Sequence, residues 1–283
     1  MRIDLHIHST ASDGTLAPTE IVRQAAALNL GAIAITDHDS VDGSREALEA
    51  GVPARLGFLT GVEISASPPP SYPRKGSFHI LGYRIDVTDK ALNRELAKLQ
   101  DARKNRNPGI LSKLVALGIP IRMEEVKAVA GSGQIGRPHI AKLLISKGAA
   151  DTIEDAFDRY LGTGKAAYVD KYRIDCARAI KRIESAGGIA VLAHPGLLEL
   201  DSDRQLEDIL TELKQMGLAG IEVYYPEHSE RQTRRFMHLA QHFELLMTGG
   251  SDYHGAIHPP IQMGSGRGDL AVPYALYEKL VRF

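Results

Sequence analysis

The segment Arg2-Ile3-Asp4-Leu5-His6-Ile7-His8 decides how this chain is read. Polar and apolar residues alternate along it with the period of a β-strand, so Asp4, His6 and His8 are expected on one face and two imidazoles converge on one point. Imidazole is the commonest protein metal ligand, and a strand is rigid enough to hold two of them within reach of a single ion. An isolated His-x-His is more often a surface accident than a site. Residues farther along the chain change that balance.

Six further runs rich in Val, Ile, Leu and Ala read as strands, at residues 32–36, 58–65, 78–85, 189–194, 220–225 and 244–250. Near-continuous apolar runs separated by helical patterns indicate an α/β fold with parallel strands covered on both sides, as in a βα barrel. Pro18 and Glu20 mark a first helical turn, Gly31 sits where that helix should stop, and Gly187-Gly188 ends another helix before the fifth strand. The stretch Pro68-Pro69-Pro70-Ser71-Tyr72-Pro73 is a loop between strands three and four.

Between Thr88 and Gly187 the strand signal disappears, for too long a stretch to be one crossover. Residues 89–187 are therefore read as a helical cap inserted into a barrel made by 1–88 and 188–283. In its first helix Leu92, Leu96 and Leu99 form a stripe that continues through Arg103 and Arg106 before Pro108 breaks it. These two arginines either run out into solvent at a helix end or face the barrel mouth.

Almost every expected strand ends at a residue able to bind metal. His38 follows the second in Thr36-Asp37-His38-Asp39, Glu63 lies late in the third, His79 is on the fourth and His194 ends the fifth in Ala193-His194-Pro195-Gly196. Asp252 and His254 follow the seventh in Gly249-Gly250-Ser251-Asp252-Tyr253-His254, and Asp13 occupies the loop after the first. The carboxyl ends of barrel strands are where active sites form. With His6 and His8, the set holds more imidazoles and carboxylates than one or two ions require, so three ions fit best. Three divalent cations outweigh three carboxylates, and such a site favours a phosphate over a neutral amide or ester.

Composition narrows the class. The 283 residues carry a net charge of -1, so no global basic field attracts nucleic acid and any anion binding must be local. Cys176, the single cysteine, excludes an intrachain disulfide and a thiolate zinc site, and is read as a small core residue. Arg2 and Asp4 stand where a signal peptide needs an apolar run, and no stretch approaches the roughly 18 to 20 apolar residues of a membrane span. The expectation is a soluble cytoplasmic protein with no membrane association and no obligate protein partner.

The motifs His6-x-His8, Thr36-Asp37-His38, Gly61-Val62-Glu63, Ala193-His194-Pro195 and Gly250-Ser251-Asp252-x-His254 together resemble those of the PHP (polymerase and histidinol phosphatase) family. The insertion, with Gly136-Arg137-Pro138-His139 and Gly164-Lys165-x-x-Tyr168, is similar to the branch of nucleoside 3′,5′-bisphosphate phosphatases and the 5′-to-3′ exoribonuclease RNase AM. The resemblance implies a distorted seven-stranded βα barrel with a cap and a trinuclear centre of Mn²⁺, Fe²⁺ or Zn²⁺. It also implies that His6, His8, Glu63 and Asp252 hold one ion, Glu63, His79 and His194 a second, and Asp13, His38 and His254 a third.

The implied activity is hydrolysis of a terminal phosphate ester of a nucleotide such as pAp, or of a short oligoribonucleotide, by a hydroxide generated at the metals. Asp13, Glu63, His194, Asp252 and His254 are the expected catalytic group. Arg137 is the first choice for a bidentate phosphate clamp, with His139, Lys165, Arg103 and Arg106 behind it; Arg137 and His139 alternatively pair with surface acids. Asp4, Asp37 and Asp39 resemble carboxylates that orient imidazoles, Asp39 equally a helix cap near Gly43. Glu222 faces either the ligands or the substrate. His228, His238, His242 and His258 have no motif around them. Three rival functions stand beside this one: a metal-dependent amidohydrolase, a histidinol-phosphate-type phosphatase, and a non-catalytic PHP interaction module.

Overall fold

The computed structural model describes residues 1–73, 77–131 and 133–283. Its strands are β1 (Arg2–Ile7), β2 (Ala32–Ile35), β3 (Gly57–Ser67), β4 (His79–Tyr83), β5 (Ile174–Asp175), β6 (Ile189–Leu192), β7 (Gly220–Tyr224), β8 (Leu246–Gly249) and β9 (Val272–Pro273). The seven expected strands all form, and their order β8-β7-β6-β4-β3-β2-β1 curls into a nearly closed barrel. The two-residue β5, unforeseen inside the helical stretch, pairs with β3, and the equally short β9 pairs with β1. The seam between β8 and β1 closes through the His8 N–H, which donates to the Tyr253 carbonyl at 2.9 Å. Gly250 permits this approach, since a Cβ there would lie 2.3 Å from the His6 nitrogen.

An all-parallel barrel is corrected at β4, which runs antiparallel to both neighbours, with Leu81 opposite Glu63 on one side and Val191 on the other. A parallel return needs a crossover of roughly a dozen residues or more, usually a helix. Among the described residues of the proline-rich loop after β3 there is no helix, and the chain comes back as a hairpin.

Helices α1 (Pro18–Ala27) and α2 (Asp42–Ala50) cover β1 and β2, and α1 ends before Gly31, its exit marked by Asn29 at φ 53°. Helix α3 (Lys90–Ala116) is capped by the Asp89 carboxylate, which accepts from the Leu92 N–H at 2.6 Å. It runs straight through Pro108, which sequence alone marks as its end. Proline removes one backbone donor and crowds the carbonyl four residues back; Pro108 and Lys104 both lie on the exposed side of the helix. Meanwhile Leu99, Arg103, Arg106, Ile110 and Leu114 keep the opposite face buried across the proline.

Helices α4 (Met123–Ala130), α5 (Arg137–Ser146) and α6 (Ile153–Ala156), with a π-helical turn at Phe157–Leu161, come next. They pack with the second half of α3 around a separate apolar cluster from Ile110 to Ala167. The first half of α3 packs elsewhere. Leu92, Leu96 and Leu99 join Cys176, Ala179, Ile180 and Ile183 of α7 (Cys176–Ser185) in the cluster that covers β3, β4 and β6. Helices α8 (Asp203–Gln215) and α9 (Glu230–His242) extend that layer, and α10 (Tyr274–Arg282) closes the barrel floor with Leu59, Leu81 and Val191. Among the described residues no helix is long and apolar enough to cross a membrane.

Candidate metal centre and anion cleft

Strand β1 delivers His6 and His8 to the barrel mouth, both fully buried. The pairing register with β2 slips between Asp4 and Ile7. Asp4 does not touch the imidazoles. It accepts from Ser251 N–H (2.8 Å), Ser251 Oγ (2.6 Å) and Gly264 N–H (2.7 Å), tying β1 to the loop that carries Asp252. Burial pushes its carboxyl up to about 6 against these bonds. Asp37 likewise binds Ser9 N–H (2.7 Å) and Ser9 and Ser12 hydroxyls (2.6 and 2.5 Å), reaching His8 only through Ser12.

The nine expected ligands converge. His8 Nε2 lies 3.0 Å and His6 Nε2 3.3 Å from Asp252 Oδ1, and both lie within 3.6 Å of Glu63 Oε2. Glu63 Oε1 faces His79 Nδ1 at 2.7 Å and His194 Nε2 at 2.9 Å, while His38 Nδ1 sits 2.7 Å from Glu63 Oε2. Asp13 approaches His254 Nε2 at 3.4 Å and His38 Nε2 at 3.9 Å. Ligand atoms about 2.0–2.2 Å from one ion stand about 3 Å apart, the spacing found here. Three sets of such atoms cluster: His6, His8, Glu63 and Asp252; His38, Glu63 and His79; and His8, Asp13, His38 and His254.

Two observations test whether these residues fit metal ions. Of eleven buried side-chain atoms lacking a hydrogen-bond partner among the described residues, six belong here: His6 Nε2, His8 Nε2, Asp13 Oδ1, His38 Nδ1, Glu63 Oε2 and Asp252 Oδ1. Each such orphan costs about 1–3 kcal/mol, and cations at their centre would satisfy all six. The backbone also strains to present them. His194 (φ 25°) and Asp252 (φ 55°) occupy the left-handed region disfavoured for residues with a Cβ. The donor set fits.

Electrostatics divide the set: against the effect of burial, neighbouring carboxylates raise His6, His194 and, to about 9, His254, and bound cations would have to displace those protons. Burial alone would raise the carboxyls of Asp13, Glu63 and Asp252, yet the surrounding imidazoles hold all three well below the usual range. Burial, together with His254 and His38, lowers His8 to about 3, and burial lowers His79 to about 4, leaving both neutral as metal binding requires.

Several supporting groups carried no decisive sequence signal. Glu222, wholly buried on β7, accepts from His6 Nδ1 at 3.0 Å and from the His194 backbone N–H at 2.7 Å, so it faces the ligands and leaves His6 Nε2 free toward the centre. Tyr225 donates to Asp252 Oδ2 at 2.9 Å. His228 bonds the Val223 carbonyl through Nδ1 and accepts from the Gly196 N–H, bracing the turn after His194.

Across the mouth stands a cationic wall. A cleft of ≈230 Å³ is lined on one side by Asp13, His38, His79 and His254 and on the other by Arg103, Arg106, Arg137, Lys171 and Arg173. Arg103 and Arg106 thus face the mouth rather than solvent. Asp39 neither caps a helix nor touches an imidazole; its buried carboxylate accepts from Arg103 at 2.9 Å and Lys171 at 3.4 Å, besides Ser65. Arg137 donates to the Leu161 carbonyl at 3.0 Å and stacks on Phe157 at 5.1 Å, pairing with no surface acid. Among the described residues Arg106 bonds only the Asn107 side chain, at 3.1 Å. Burial, then the neighbouring arginines, draws Arg106 down to about 8 and Arg137 to about 10; burial draws Lys171 to about 7 against the pull of Asp39. The wall is short of negative charge.

Two expected phosphate contacts lie elsewhere. Buried His139 turns its Nδ1 to the Gly136 N–H at 3.0 Å and closes the first turn of α5, and Lys165 is exposed and does not line the cleft. Lys171 and Arg173 come instead from an irregular segment without periodicity, which is why no pattern marked them.

The model of the PHP domain matches residues 4–170. The chain is 35% identical to the 5′-3′ exoribonuclease of Haemophilus influenzae over 89% of its own length and 90% of that protein. It is also 35% identical to the 3′,5′-nucleoside bisphosphate phosphatase of Chromobacterium violaceum, over 89% of this chain and 87% of that one. A solved Chromobacterium violaceum structure described as an amidohydrolase, with sulfate bound and no metal, superposes with a TM-score of 0.83 at 33% identity, covering 93% of this chain and 90% of the other.

Proposed function

This chain belongs to the PHP domain family, and from that premise we propose that it is a metal-dependent phosphoesterase acting on a ribonucleotide that carries phosphates on both its 5′ and 3′ oxygens. A single observation carries the reading: a cluster of orphaned ligands and a charge-hungry cationic wall share one cleft. The ligands suit a scissile phosphate ester; the wall suits a second phosphate a ribose away. pAp and the 5′-phosphorylated end of an RNA both present that pair, and the relatives named for each are equally similar. A neutral amide would leave Arg106 and Arg137 of the wall without a carboxylate or phosphate partner.

In this reading His6, His8, Glu63 and Asp252 would hold one ion, Glu63, His79 and His194 a second, and Asp13, His38 and His254 a third. Mn²⁺, Fe²⁺ and Zn²⁺ all suit such nitrogen and oxygen donors. Bound ions supply Lewis acidity and an activated water. The chain's own part is positioning: Glu222 and Tyr225 fix His6 and Asp252, while Arg106, Arg137 and Lys171 neutralise the second phosphate and hold the ester over the ligands. Within residues 89–187 the Ile110–Ala167 cluster is the core of a cap that brings this wall to the barrel, whereas the first half of α3, β5 and α7 pack with the barrel itself.

The test is product analysis with metal-replete protein. Inorganic phosphate and a 5′-mononucleotide from pAp, or mononucleotides from a 5′-phosphorylated oligoribonucleotide, are expected. Hydrolysis of neither, or release only from amides, overturns the proposal.

A further inference from the structure

A second cavity, of ≈530 Å³, opens beside the cleft and shares Pro138, Phe157 and His254 with it. Its chemistry is the reverse. Among the described residues no lysine or arginine lines it; its walls are Ile153 and Phe157 from the cap and Leu197, Tyr225 and Ile257 from the barrel. Glu154, Asp158 and Glu227 stand at its edge, Glu154 near His258 (3.4 Å) and Glu227 near Arg267 (3.8 Å). Asp252, a member of the ligand cluster, lines the same cavity, so whatever sits there lies against the reacting centre.

We propose that this cavity binds the nucleobase of the substrate. The inference rests on the phosphoesterase reading and adds to it a base-recognition site. A wall rich in aliphatic and aromatic carbon with carboxylates at its rim repels a phosphate and receives a flat, uncharged ring whose N–H groups the carboxylates can accept. Phe157 divides the two cavities. The Arg137 guanidinium stacks on this ring, in a π-helical turn of the kind often found at functional sites. One nucleotide then spans the mouth, with a phosphate on the arginines, the ester at the ligands and the base beside Phe157 and Tyr225.

The experiment compares kcat/KM for adenosine 3′,5′-bisphosphate and for ribose 3,5-bisphosphate, which has no base. The protein as isolated should favour the first by about tenfold or more, the scale of one base stacked on an aromatic ring. Phe157→Leu and Leu197→Ala should shrink that ratio, chiefly through KM; Leu197 is exposed enough for its change to spare the fold. A ratio near one in the unaltered protein, or a ratio untouched in both variants, overturns the inference. Should neither compound be hydrolysed, the phosphoesterase reading fails by itself. Calorimetry of adenosine 5′-monophosphate against ribose 5-phosphate still decides the cavity, with tighter binding of the nucleotide supporting it and equal affinities overturning it.

Discussion

The barrel rim and the cap wall face each other across one cleft and are built on opposite rules. On the rim, inward-facing atoms are left without partners while the atoms behind them are tied down: His6 by Glu222, Asp252 by Tyr225, His254 Nδ1 by the Asp252 carbonyl at 2.8 Å. On the wall, cations are crowded with little to oppose them, Arg106 holding only an amide and Arg137 a carbonyl and a ring face. The rim lacks cations; on the wall, among the described residues, Asp39 pairs with Arg103 and Lys171 and Asp170 with Arg173, while Arg106 and Arg137 have no carboxylate. Asp39, adjoining His38 and binding both Arg103 and Lys171, joins the two. A site divided this way can hold metal without substrate and bind an anion without metal.

That separation can be broken most severely on the rim. Asp252→Ala or Glu63→Gln should cut metal content, read by elemental analysis, and lower hydrolysis by more than the roughly 100-fold typical of outer partners. Phosphate binding by the metal-free variants should persist. Glu222→Gln, which weakens the hold on His6 while keeping its shape, should reduce metal affinity by about 10- to 100-fold, measured by competition with a chelator. If Glu222→Gln instead left metal binding intact and impaired only anion binding, the division would fail.

On the wall, Arg106→Met should weaken phosphate binding about tenfold or more, as a charged hydrogen bond is worth about 1.5–3 kcal/mol. It should also raise the melting temperature, because a buried guanidinium lacking a carboxylate is replaced by an apolar chain. A fall in both would show that Arg106 is structural.

Lys171 gives a pH signature. Burial first of all depresses its pKa to about 7 against the opposing charge of Asp39, so anion affinity should decline as pH rises through 7, and Lys171→Met should flatten that profile. The sign for stability is opposite: between about 7 and 10.5 the unfolded chain holds a proton that the folded one does not. The contribution of Lys171 to stability therefore rises across that window and is lost as pH falls through 7. The smallest effect belongs to Lys165→Ala: exposed and off the cleft, it should change stability by no more than about 0.5 kcal/mol and leave phosphate titrations unaltered.

The rim was legible in the sequence and much of the wall was not. Most of the rim residues sit at or near a strand end, where periodicity fixes their place and barrel closure brings them together, although Glu63 lies inside β3 and Asp13 in the loop after β1. Asp4 shows the limit: a carboxylate expected beside the imidazoles instead anchors the Ser251 loop and Gly264, and no sequence period marked that partner. Arg103 and Arg106 continued a visible stripe, but whether that stripe met solvent or the mouth depended on a helix surviving Pro108. Lys171 and Arg173 had no pattern at all.

By itself, then, the sequence determined the seven main strands, the family and the nine histidines and carboxylates that the structure gathers at one mouth, because alternation and strand-end position are local properties that the backbone enforces. Only the tertiary structure decided that β4 runs against its neighbours, that Asp39 binds cations, that Lys165 stands apart, and that an apolar cavity adjoins the charged cleft. Those depend on how the cap meets the barrel, a matter of packing between residues far apart in the chain, and no period records it.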